Sequence, residues 1–339
     1  MRAFLDTCQT LHDPKNFMVS GIKRPSPETP ERISLLQKGA EAAGCTFSVP
    51  EDAGITPIAA VHSSAYLRFL QSIHARWSEM DGAAPEVIPN VHPANRGDSY
   101  PNSPVGQAGY HQADTACPIG AHTYDAAYVS AQCAIAAADT VARGENAVYA
   151  LCRPPGHHAF ADMAGGFCFL NNAAIAAQHL ADRGWRPAIL DVDVHHGNGT
   201  QGIFYSRKDV LTVSIHTDPN EFYPFFWGHD FELGEGDGEG ANLNLPLPRG
   251  AGDKAFLHAL EVALTKIADF GAQILVISLG LDAHESDPFK GMSLTTPAYT
   301  QIAQEISKTG LPLVLVQEGG YVSEDLTHNL TAFLNGIET

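Results

Sequence analysis

Four short apolar runs, each handing over to a cluster of reactive side chains, constrain this chain of 339 residues more than any other feature. Residues 147–152 lead into Arg153-Pro154-Pro155-Gly156-His157-His158, and residues 188–192 into Asp193-Val194-His195-His196-Gly197-Asn198-Gly199. Residues 273–279 lead to Gly280-Leu281-Asp282, and residues 311–317 to Glu318-Gly319-Gly320-Tyr321. Short runs this apolar, interrupted only by Asp191, Gln273, Ser278 and Gln317 near their ends, predict strands buried on both faces. The segments between them (171–182, 201–206, 253–270 and 298–309) carry helical spacing. Repeated strand–helix units predict an α/β fold, with a doubly wound, mostly parallel sheet and helices on both faces. One domain over residues 1–339 is expected, since no linker or repeat divides the chain.

Upstream, residues 1–5 read as a first edge strand followed by a loop rich in proline (Pro25, Pro27, Pro30). Helices are predicted over 31–43, ending at Gly44, over 63–77, and over 124–141. Residues 78–111 carry five prolines and several glycines. This insertion reads as an ordered cover for a site mouth or for a partner subunit. A strand is expected at 210–216, then an irregular aromatic and Gly-rich stretch over 221–240.

Charge narrows the partners. A formal net charge of −18 argues against nucleic acid or an anionic membrane surface. It suits a cationic substrate, and equally an acidic surface that only keeps the protein soluble. The six cysteines are scattered, with no Cys-x-x-Cys pair, which favours buried thiols in a reducing compartment. No apolar stretch spans a bilayer and the N-terminus lacks the pattern of a secretion signal, so cytoplasmic residence is the expectation.

In a doubly wound sheet the carboxyl ends of the strands form the ligand edge. Asp191, Asp193 and His195 alternate at the end of one strand, so Asp193 and His195 can reach one ion. Each fragment also has a plain reading. Asp282 can cap a helix, Tyr321 can pack after a Gly-Gly turn, and a His-His pair is often ordinary surface. Four such fragments at the ends of one sheet are harder to dismiss.

The motifs RPPGHHA, GGFCFLNNAA, DVDVHHGNGT, SLGLDAHESDP and EGGY, in this order, resemble the histone deacetylase-like amidohydrolase family of the arginase–deacetylase fold. The Pro-rich insertion and the chain length are similar to its bacterial acetylpolyamine amidohydrolase branch. The resemblance implies Asp193, His195 and Asp282 as ligands of a catalytic Zn²⁺, with Fe²⁺ as the alternative. It implies His158 as general base beside His157, with Asp191 behind His157 and Asn198 behind His158, where some relatives carry Asp. Tyr321 would donate to the oxyanion. Gly166 and Phe167 would hold one side of the substrate and Tyr223 the other, where the family commonly has Phe. A structural K⁺ or Na⁺ would sit at Asp191, Asp193, His195, Ser214 and Ile215. His196, His216 and His284 are read as support.

The expected reaction is metal-dependent deacetylation of acetylputrescine, acetylcadaverine, acetylspermidine or similar small cationic amides. A homodimer formed through 78–111 would narrow the entrance, and Glu86, Asp98 and Asp114 are rim candidates for a distal ammonium. The alternative is an acetyl-lysine peptide deacetylase with the same chemistry. A non-catalytic ligand-binding homologue is the third reading. A binuclear arginase-type site is disfavoured, because its extra carboxylates would fall on Gly197 and Gly280.

Overall fold

A computed structural model describes the chain except for residues 94, 95, 98, 338 and 339. The strands are β1 (Arg2–Phe4), β2 (Asn16–Val19), β3 (Ile22–Pro25), β4 (Thr46–Ser48), β5 (Ala147–Ala150), β6 (Pro187–Asp191), β7 (Leu211–Thr217), β8 (Asn242–Leu247), β9 (Ile274–Leu279) and β10 (Leu313–Gln317). The helices are α1 (Glu31–Ala42), α2 (Thr56–Ala59), α3 (Ser64–Ser78), α4 (Pro104–His111), α5 (Thr123–Ala142), α6 (Asn172–Ala181), α7 (Asn198–Phe204), α8 (Asp253–Phe270), α9 (Thr296–Ser307) and α10 (Leu326–Gly336).

Eight strands form one sheet in the order β4-β1-β5-β10-β9-β6-β7-β8, and every pairing in it is parallel. The side-chain alternation of the central strands divides the interior into two cores. Leu190, Leu275, Ile277 and Leu315 pack with α1, α8, α9 and α10. Ile189, Val276, Val314 and Val316 face the opposite way, toward α3, α5 and α6. Burial on both faces is why these strands read as nearly continuous apolar runs.

Strands β5, β10, β9 and β6 are neighbours at the centre of the sheet. The four clusters singled out above therefore leave from adjacent carboxyl ends.

Several expectations are corrected. β1 is an interior strand: Arg2 pairs with both Thr46 and Val148. The edge is β4, three residues long and too short to carry a periodic signal. The other edge is β8, where Asn and Leu alternate and the buried positions are the polar Asn242 and Asn244, the reverse of the usual apolar-inside signal. The loop expected after β1 is an exposed antiparallel hairpin, β2–β3. Helix α7 starts at Asn198, not Gln201, so Gly199 lies inside it. That glycine is required by closeness rather than by a turn, since a Cβ there would stand 2.3 Å from the Ala159 carbonyl oxygen. Helix α10 was not anticipated; its Leu326, Leu330 and Phe333 complete the first core. In the 78–111 insertion, α4 follows an irregular stretch pinned by a bridge between Val87 and Ile119.

Candidate active site

Asp193 and His195 lie just beyond β6, not on it. Local hydrogen bonds hold them: Asp193 N donates to Asp191 Oδ1 (3.0 Å), and His195 N donates to Asp193 Oδ1 (2.9 Å). The same i to i+2 pattern fixes both side chains toward the neighbouring strand end. Asp282, two residues past β9 and its Gly280, takes Val194 N on Oδ1 (3.0 Å) rather than capping a helix.

Asp193, His195 and Asp282 offer ligand atoms within 4.8 Å of one another, all buried. His195 Nδ1 is 3.1 Å from Asp193 Oδ1 and 3.2 Å from Asp282 Oδ2. Asp282 Oδ2 is buried with no hydrogen-bond partner among the described residues. Two carboxylates crowded on one imidazole, with one oxygen left over, fit a divalent cation held by three protein ligands. Positions 197 and 280, where a second metal would need carboxylates, have no room: Cβ atoms there would meet Asp191 Oδ2 and Asp193 Oδ2, each at 2.3 Å.

The two histidines after β5 differ in their partners. His157 Nδ1 is 2.9 Å from Asp191 Oδ2. Burial opposes charge on His157, but the Asp191 and Asp193 carboxylates outweigh it and raise its pKa to about 10. His158 Nδ1 is 2.7 Å from Asn198 Oδ1. Burial first, then the charges of His157 and His195, push His158 well below its ordinary value. The neutral amide of Asn198 does little to offset that. One imidazole is thus biased toward its cation and its neighbour toward the free base.

Above these groups a cavity of about 390 Å³ is lined by His158, His195, Phe167, Tyr223, Phe289 and Tyr321. Gly166 and Phe167 form one wall, and Phe167 has φ of 68°, a left-handed backbone rare for an aromatic residue. Tyr223 stands edge-on to His158, with centroids 4.9 Å apart. Phe222, which was not expected, stacks on His195 at 5.0 Å. Phe17, from the hairpin, closes against Phe167 at the mouth.

Among the rim candidates, Asp114 reaches this cavity. Its Oδ2 accepts the Tyr223 hydroxyl (2.7 Å) and Gly166 N (3.1 Å), so it ties the two walls together. Glu86 accepts Lys15 N (2.8 Å) away from the cavity lining. Asp98 lies outside the described residues. Ser214 and Asp191, two of the five residues expected at a monovalent cation, are paired across β7 and β6; Ser214 Oγ is 2.8 Å from His216 Nδ1. His196 Nε2 is 3.1 Å from Asn244 Oδ1 and His216 Nε2 2.8 Å from Gly228 O; His284 Nδ1 is 2.8 Å from Ser286 Oγ.

Two supporting residues escaped the sequence reading although they stand inside quoted motifs. Glu318 Oε2 accepts Gly156 N (2.6 Å) and His157 N (3.0 Å), anchoring the histidine loop to β10. Asp287 accepts two backbone N–H groups around Tyr321. A carboxylate serving backbone donors leaves no mark in composition or spacing.

A family model for the histone deacetylase domain matches residues 26–337. The acetylpolyamine amidohydrolase of Burkholderia pseudomallei (strain 1710b) is 46% identical over 338 residues, covering 99% of this chain and 98% of the relative. Acetylpolyamine amidohydrolase 1 of Pseudomonas aeruginosa is 42% identical over 333 residues, covering 97% of this chain and 96% of the relative. A crystal structure of acetylpolyamine aminohydrolase from Burkholderia pseudomallei superposes with a TM-score of 0.96 at 46% identity, covering 99% of this chain and 98% of that one. The parallel sheet, the site at its carboxyl edge and these full-length likenesses lead to one conclusion: the chain belongs to the histone deacetylase domain family and has its arginase–deacetylase fold.

Proposed function

We propose that this chain, as one domain, hydrolyses the amide bond of N-acetylated polyamines and similar small cationic amides, yielding acetate and the free amine. The observation that carries the reading is the convergence of a three-ligand cation site, a His-His pair and a buried phenol at the foot of one aromatic cavity. Full-length relatives that carry the name acetylpolyamine amidohydrolase support the substrate class.

Asp193, His195 and Asp282 would hold the divalent ion, Zn²⁺ in the first instance and Fe²⁺ as the alternative. An ion held there would supply Lewis acidity, polarising the acetyl carbonyl and lowering the pKa of a water. His158, kept as the free base, takes a proton from the attacking water as the oxygen bonds to the carbonyl carbon. Tyr321 donates its hydroxyl hydrogen bond to the resulting oxyanion. When the C–N bond breaks, the proton held by His158 passes to the departing nitrogen. His157, charged and paired with Asp191, stays fixed beside it and adds positive potential. Phe167, Tyr223 and Phe289 exclude water from the alkyl chain.

A structural K⁺ or Na⁺ at Asp191, Asp193, His195, Ser214 and Ile215 belongs to the same reading. So do cytoplasmic residence and a homodimer built through 78–111, where Val91 and Tyr100 expose apolar surface. No described helix is long and apolar enough to cross a membrane.

The test is acetate release from acetylputrescine, acetylcadaverine and acetylspermidine against an acetyl-lysine peptide. The reading requires kcat/KM for at least one amine to exceed that for the peptide by tenfold or more. A preference for the peptide would move the assignment to a protein deacetylase. No turnover of either would leave a ligand-binding homologue.

A further inference from the structure

We propose that Asp287 is the positioning residue that sets the direction of the Tyr321 phenol. Tyr321 follows Gly319-Gly320, a turn in which Gly320 has φ of 109°, so nothing in the local chain fixes the peptide plane ahead of the tyrosine. That plane is held from outside at both polar atoms. The Gly320 carbonyl accepts Arg32 Nε–H (2.6 Å), and the Tyr321 N–H donates to Asp287 Oδ2 (3.1 Å). Rotation of the peptide would break both bonds at once and free the φ of Tyr321, on which the placement of its side chain depends.

Asp287 does more than hold one donor. It is 2% exposed, and its other oxygen, Oδ1, accepts Phe289 N (2.9 Å). Phe289 packs edge-on against Tyr321, with centroids 4.8 Å apart, and against His195 at 5.3 Å. A single carboxylate on the β9–α9 connection therefore fixes the phenol's backbone and the ring that flanks it. It is not among the cation ligands. A buried carboxylate with both oxygens spent on backbone donors of two site segments is an arrangement for orientation. An asparagine keeps the volume and can serve only one of the two donors.

This inference rests on the deacetylase reading. The experiment is a double-mutant cycle on metal-loaded enzyme with acetylputrescine: Asp287→Asn, Tyr321→Phe and the pair, with Asp287→Ala as the more severe variant. Asp287→Asn should lower kcat about 10- to 100-fold with KM changed less than threefold and the bound metal unchanged. In the Tyr321→Phe background the same change should cost less than threefold, because the group being aimed is gone. Losses that multiply in the double variant would overturn the proposal. So would loss of metal in Asp287→Asn, or recovery of both Asp287 variants only as unfolded protein, since the role assigned is positional. Wild-type enzyme without turnover would instead count against the deacetylase reading itself.

Discussion

Gly319→Ala offers a sharp perturbation of the cation site, because its magnitude can be worked from contacts. Gly319 donates its N–H to Asp193 Oδ2 (2.8 Å) and passes close beneath both ligand carboxylates. A Cβ at this position would stand 2.2 Å from Asp282 Oδ2 and 2.4 Å from Asp193 Oδ2. Carbon and oxygen in contact need roughly 3.2 Å or more, so each oxygen must retreat by about 1 Å. Neither can do so freely, since Asp282 Oδ1 is tied to Val194 N and Asp193 Oδ1 to His195 N. A displacement of about 1 Å at reacting or ligating groups costs on the order of 10²-fold in rate. Gly319→Ala should therefore lose at least 10²-fold in kcat/KM for acetylputrescine, and its bound metal should fall below half of one equivalent after dialysis. Gly39→Ala is the matched control: its Cβ would press the Thr327 carbonyl oxygen at 2.7 Å, far from the cation ligands, in the packing of α1 on α10. It should lower the melting temperature and keep full metal content. The assay pair is metal analysis by mass spectrometry and acetate release. Gly319→Ala with a full equivalent of metal and wild-type turnover would refute the assignment of Asp193 and Asp282 as ligands.

Tyr321→Phe should reduce kcat/KM by about 10²- to 10³-fold, near 3 kcal/mol of transition-state stabilisation, with KM little changed in steady-state assays. Asn198→Asp places a carboxylate 2.7 Å from His158 Nδ1 and should raise that pKa, moving the acid limb of the kcat/KM profile upward by about one pH unit or more; an unmoved limb would remove His158 from the base role. His12 and His62 are buried, and burial lowers each from 6.5 to about 4. The neutral His62 Nε2 accepts Asn171 N (2.9 Å). Their stabilising effect is complete above pH 6.5 and is lost as pH falls from 6.5 to 4, because the unfolded chain binds protons that the folded one refuses. The loss is roughly 3 kcal/mol per histidine. Urea denaturation across that window should show it, and His62→Gln should flatten the slope.

Much of this was legible in the sequence because the relevant signals are local. The runs that became β5, β6, β9 and β10 are apolar except for Asp191, Ser278 and Gln317 near their carboxyl ends, and strands covered on both faces read that way. Their reactive successors needed no long-range information beyond the rule that ligands gather at one edge of the sheet. What escaped the reading depends on partners distant in the chain. β4 and β8 are edges whose pairing is decided by β1 and β7. The hairpin β2–β3 lies in a stretch whose prolines suggested an irregular loop. Glu318 and Asp287 serve backbone donors that carry no side-chain signature, and Asp114 meets Tyr223 across 109 positions of sequence. Asp193 and His195 came together although they do not lie on the strand itself; the i to i+2 hydrogen bonds of Asp191 and Asp193 impose what strand alternation was expected to give, whereas Asp282, expected from the family resemblance, is tied in by Val194 N.

In the proposed reaction one divalent ion, gripped by Asp193, His195 and Asp282, turns the aromatic cavity into a deacetylase. Metal-stripped protein titrated with Zn²⁺, and separately with Fe²⁺, while acetate release from acetylputrescine is followed, tests this dependence. Release should be absent at zero metal, rise linearly, and reach a plateau at one ion per chain that Asp282→Asn abolishes. Full activity in the stripped protein, or a plateau untouched by Asp282→Asn, would contradict it.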